Sequence, residues 1–173
     1  MADWVECWAD WERAIEYWRF YRSGQFVHLF AIHEDLIDVG SALPKRYPPR
    51  PTRAGYLGFV GATYTVTEIL EFAARLAKQG ILYPSAFVSV GLYNMEDHQV
   101  ATFGGGRLLP DYYVYKMNEP IVVEREIPQT ELVSKPDEFA LDFVIEIFEH
   151  FGWDDPPRQI LSEDQKRLRE RRL

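Results

Sequence analysis

An α+β fold with a largely antiparallel sheet is predicted by three features of this sequence. Short runs rich in aromatic and β-branched residues are punctuated by Gly, Pro, Asn and Asp. Two longer segments, around residues 65–80 and 136–152, carry helical spacing together with start and stop signals. The runs read as hairpins with the helices kept apart from them, so a regular strand-helix alternation is not expected. At 173 residues, 47% hydrophobic and 15% aromatic, the chain is large enough for a full core and is expected to form one domain over 1–157, followed by a basic tail, 158–173.

Trp4, Trp8, Trp11, Ile15 and Trp18 recur at steps of 4, 3, 4 and 3, which places them on one arc of an α-helix. An N-terminal amphipathic helix with a tryptophan seam is therefore expected. Trp18–Tyr21 and Gln25–Ile32 follow as a β-hairpin joined at Ser23-Gly24, where glycine supplies the positive φ of a tight turn. Residues 41–54 hold four prolines and four basic side chains and read as a long loop. Gly55–Ala62 is strand-like, and Thr65 with Glu68 forms a capping box that opens a helix ending at Gly80.

Ser85–Tyr93, Gln99–Phe103, Tyr112–Met117 and Ile121–Ile127 read as strands. A last helix begins near Pro136, with Asp137 and Glu138 in its first turn and Phe139, Phe143, Ile147 and Phe151 on its apolar face, and stops at Gly152. The expected core includes Phe26, Phe30, Phe72, Leu76, Val88, Val90, Phe143 and Ile147.

The charge narrows the function classes. A net charge of −8 is the wrong sign for a protein that grips nucleic acid over its whole surface. The exception is residues 158–173, with six basic and three acidic side chains, the one place where an acidic surface or nucleic acid would bind. The single cysteine, Cys7, excludes an internal disulfide and a cysteine zinc site. No apolar run reaches the roughly 18 residues of a membrane helix, and acids occupy the start where a signal peptide is basic. A cytoplasmic protein without membrane contact is expected.

Sites of chemistry are sparse. On a strand, His28 and His33 point to opposite faces and cannot share a metal; His28 reads as a hydrogen-bonded core histidine. Glu146 and His150 share a helix face but lack the second histidine of a zinc protease. Ser89 lacks the first glycine of a nucleophile elbow, and "FGGGRLLP", Phe103–Pro110, fits neither phosphate-loop pattern and reads as an inter-strand loop. The catalytic candidates are Asp111, Glu124 and Glu126, loosely like the metal-binding acids of restriction-type nucleases, although Glu126 stands where those enzymes place a lysine. No cofactor or metal is implied. A third possibility is a small-ligand pocket among Tyr56, Tyr93, Tyr113 and Tyr115.

For binding to a protein partner or a second copy, the candidates are Trp4 and Trp8, whose rings must be covered by something, together with Arg167, Arg169, Arg171 and Arg172 of the tail. Trp11, Ile15 and Trp18 are expected to be internal.

The stretches "WRFYRSGQFVHLFAIHEDL", "YTVTEILEFAARLAKQGI", "YPSAFVSVGLYNMEDHQV", "GGGRLLP", "VVEREIP" and "FEHFGW" resemble a module in the C-terminal half of bacterial Schlafen/AlbA-type DNA-binding (ATP-binding) proteins. The resemblance covers about residues 10–153. It implies a strand-turn-strand, a helix preceding an alternating strand, and a terminal helix ending at Gly-Trp. The N-terminal Schlafen-like domain that would carry nucleotide or nucleic-acid chemistry is not among these residues. The resemblance therefore implies a non-enzymatic accessory, interaction or sensing module of a bacterial multi-protein assembly, such as a defence system.

Overall fold

The computed structural model describes residues 3–11, 14–36, 55–103 and 107–170. The expected loop at 41–54, the three glycines at 104–106, and Arg171 and Arg172 lie outside the described residues. The chain divides into two compact units, Met1–Leu43 and Pro44–Leu173.

The first unit is a three-stranded antiparallel sheet in the order β1 (Trp4–Trp11), β2 (Ala14–Tyr21), β3 (Phe26–Phe30). The expected N-terminal helix is thus a strand pair. An isolated helix of this length is marginal in water, whereas the strand register sets Trp8 opposite Tyr17 and Trp4 opposite Tyr21 as cross-strand aromatic pairs. The β2–β3 hairpin forms as expected. Gly24, at φ 90°, donates its backbone N–H to the Tyr21 carbonyl in the turn, a conformation that a branched residue resists. His33–Asp35 form one 3-10 turn after β3.

The second unit holds β4 (Gly55–Gly58), α1 (Phe59–Lys78), β5 (Ser85–Leu92), β6 (His98–Ala101), β7 (Ile121–Pro128), α2 (Gln129–Ser134), α3 (Pro136–His150) and α4 (Arg158–Arg169). β5 pairs with β7 antiparallel, and β4 pairs with β6 parallel across the α1 crossover. The α+β class and the largely antiparallel pairing therefore hold. Four helices rather than two occupy this unit among the described residues.

The α1 start expected at the Thr65 capping box lies six residues earlier, directly after β4, with Gly58 as N-cap and no side-chain cap bond. Thr63 and Thr67 donate their hydroxyls to the carbonyls of Phe59 and Thr63, so both polar groups are satisfied within the helix. The strand expected at 112–117 is reduced to one bridge, Val114 to Gln99, flanked by backbone bonds from Val100 to the Tyr113 carbonyl and from Tyr115 to the His98 carbonyl.

The core of this unit lies among α1, α3 and β7, with Leu70, Ile121, Val123, Phe143, Val144 and Phe148 at 0% exposure. Phe59 stacks on Phe148 at 5.3 Å and Tyr113 on Trp153 at 4.3 Å, which closes the chain after α3 onto the start of α1. Of the expected core, Val88, Val90, Phe143 and Ile147 are buried, Phe26 and Leu76 half-buried, and Phe30 and Phe72 exposed.

The segment 158–173, expected as a solvated tail, folds as far as Arg169 into α4, which packs against α1 and α3. Its Leu161, Asp164 and Gln165 are buried. Gln165 donates to the Thr67 hydroxyl at 3.0 Å, and Asp164 accepts from Arg107, whose guanidinium stays protonated more firmly for that bond. Sparse apolar spacing concealed this docking because much of it is polar.

Candidate interaction surface

Alternation along β1 puts Trp4, Glu6, Trp8 and Asp10 on one face of the N-terminal sheet. The register adds Ile15, Tyr17, Arg19 and Tyr21 from β2, then Val27 and Leu29 from β3. At the centre, Glu6 lies directly opposite Arg19, and their side chains pair at 2.5 Å. The Tyr17 hydroxyl donates to the same carboxylate oxygen at 2.8 Å. These bonds, Tyr17 first and Arg19 second, hold the Glu6 carboxyl below its ordinary range. Desolvation and then the bond to Glu6 raise the Tyr17 phenol.

The Arg19 guanidinium lies 5.3 Å from the Trp4 ring centroid, 5.6 Å from Tyr17 and 5.7 Å from Tyr21. Arg19 also donates to the Tyr21 hydroxyl at 3.2 Å. A cation is thus held by three rings and one carboxylate on an open sheet face, cation–π attraction adding to the ion pair. Trp8 continues the row, 6.3 Å from Tyr17.

The opposite face carries a second aromatic cluster. Phe26 contacts Trp18, Phe20 and His28, and His28 sits 4.8 Å from Phe30. His28 is not a core histidine: it is on an exposed strand, with Nε2 3.4 Å from the Glu16 carboxylate. Trp11 lies on this face and is exposed.

Among the other predicted sites, Asp111 accepts from its neighbour's backbone at Tyr112. Glu126 accepts from Ser85 at 2.5 Å, and Glu124 is exposed one strand step away. Among the described residues no group of three or more His, Cys, Asp or Glu side chains is placed to hold a metal ion, so Asp111, Glu124 and Glu126 are not brought together as such a group. Tyr115 is buried and donates to the Glu119 carbonyl, Tyr113 stacks on Trp153, Tyr56 meets Phe103 edge-on, and Tyr93 is exposed. Arg169 pairs with Asp137 of α3 at 2.5 Å and so helps to hold α4, whereas Arg167 is exposed and pairs with Asp164, three residues earlier on α4 itself, at 3.5 Å. No helix among the described residues is long and apolar enough to cross a membrane.

Trp4 and Trp8 emerge as exposed neighbours on one face. Glu6, Tyr17 and Arg19 were missed as site residues. The signal was present in "WVECWAD", where aromatic and acidic residues alternate with period two, but the tryptophan spacing also fits a helix. No protein-family model, curated protein or solved structure matches the chain.

Proposed function

We propose that this chain is a non-enzymatic protein-interaction module and that its N-terminal aromatic sheet is the docking surface. The observation that carries this reading is exposure: Trp4 is 46% and Trp8 65% accessible on one face of the sheet. Proteins that work alone seldom leave contiguous aromatic surface of this kind in water, and tryptophan and tyrosine anchors dominate the energetics of protein interfaces. The Glu6–Arg19–Tyr17 network supports it further by holding the rings in place before a partner arrives, which lowers the ordering cost of binding. The resemblance to an appended Schlafen/AlbA-type module supports an accessory role in a bacterial multi-protein assembly, with defence as the setting.

The test is the double variant Trp4→Ser/Trp8→Ser, followed by melting and by mass in solution with and without co-expressed neighbouring gene products. The expected result is a folded protein that has lost its partner or changed its assembly state. Unfolding before any change in association would return both tryptophans to a structural role.

A further inference from the structure

The face of β1 repeats its own recognition chemistry. Trp4 and Glu6 are followed two residues on by the equivalent pair Trp8 and Asp10. Across the inner side of β1, Arg19 lies opposite Glu6 and reaches diagonally over Trp4, showing what that arrangement holds. Asp10 lies opposite Ile15, which brings no charge to it. β1 is also an edge of its sheet, and every residue of it except Ala9 is exposed. A strand added along that edge receives main-chain hydrogen bonds, and its residue opposite Asp10 sits diagonal to Trp8, as Arg19 sits to Trp4.

We propose that β1 receives an extended, arginine-bearing segment of a partner protein as an added strand, with an arginine opposite Asp10 and its guanidinium over the Trp8 ring. This rests on the sheet being the docking surface. Charge complementarity selects the occupant: residues 1–43 carry eight acidic and three basic side chains, and β1 has two acids and no base. That balance repels nucleic acid and acidic peptides. A planar guanidinium, unlike a lysine ammonium, pairs with a carboxylate in a fork while stacking on a ring.

The test uses the full chain and a short blocked peptide of alternating threonine and serine with one central arginine, beside a twin with glutamine in its place. Binding is followed by tryptophan fluorescence and by amide shifts along β1. The arginine peptide is expected to bind about tenfold more tightly than its twin, a preference that rising salt erodes. Asp10→Asn should remove most of that preference while leaving melting unchanged, because Asp10 is exposed. Trp8→Leu, which keeps an apolar side chain without a ring, should weaken both peptides. Equal binding of the two peptides, or a preference that survives Asp10→Asn, overturns the arginine assignment. So does a dimer that forms without peptide and involves the β1 amides, since the edge then belongs to a second copy. The broader docking reading fails separately, if Trp4→Ser/Trp8→Ser leaves every association of the protein intact.

Discussion

Trp8 and Trp153 mark the difference between the two units. Trp153 is 6% exposed, enclosed by Phe59, Phe148 and Tyr113, whereas Trp8 is 65% exposed and meets one tilted ring, Tyr17. In the second unit aromatic residues fill space between helices and strands, and their contribution is the removal of apolar area from water. In the first unit they lie side by side on a sheet to which no α-helix belongs among the described residues, and a salt bridge and hydrogen bonds hold them in register. One residue type thus serves as filler in one unit and as displayed surface in the other, and the topology around it decides which.

The largest effect expected from this contrast is at Phe143. It is fully buried on α3 with the Arg125 guanidinium 5.4 Å from its ring, so Phe143→Ala should cost about 3–5 kcal/mol in denaturant unfolding. Trp8→Ser, which removes a larger side chain, should cost under about 1 kcal/mol, the scale of one cross-strand pair. Comparable losses at the two positions would mean that the N-terminal sheet is packed as a core and would erase the distinction.

The same contrast explains what could be read from the sequence. α3 was legible because Pro136, Asp137, Glu138 and Gly152 mark its ends and Phe143 and Ile147 repeat at helical spacing, signals that depend only on neighbours in the chain. The β2–β3 hairpin was legible from Gly24 for the same reason. The β1 face was not, because tryptophans at steps of 4 and 3 satisfy a helix as well as a strand, and only pairing with β2 decides between them. The docking of α4 was hidden because buried Asp164 and Gln165 look like solvated residues until Arg107 and Thr67, distant in sequence, are brought to them. At the candidate surface Trp4 and Trp8 were legible as a pair of rings left outside the chain's own core. Arg19 was not, since its role depends on the register that sets it opposite Glu6.

A second expected effect sharpens the contrast in polar groups. Gln99 on β6 is fully buried, and neither atom of its side-chain amide has a hydrogen-bond partner among the described residues. On the open sheet, by comparison, Glu6, Tyr17 and Arg19 satisfy one another. Burying an amide without partners costs about 1–3 kcal/mol, so Gln99→Met, close in volume and free of polar atoms, should stabilise the second unit by about 1 kcal/mol in denaturant unfolding. A destabilised variant would show that the Gln99 amide is bonded in solution and that the second unit has no such polar deficit.

The smallest expected effect concerns how firmly the displayed rings are held. The Tyr17 hydroxyl is the leading reason that the Glu6 carboxyl lies below its ordinary range, with Arg19 next. Tyr17→Phe keeps the ring but removes that donor, so the Glu6 titration midpoint, followed by carboxyl NMR, should move upward toward the ordinary carboxylate range. The sign for stability follows from the depressed pKa. The network's contribution is present above the unfolded carboxylate range and fades as pH falls through the folded value, so wild type should lose slightly more stability than Tyr17→Phe on acidification. The difference will be small and reduced by salt, because the pair is solvent-exposed. An unmoved midpoint would mean that the hydroxyl does not hold Glu6 in solution. The aromatic face would then be displayed without being preorganised, and a partner would itself have to bear the cost of ordering those side chains.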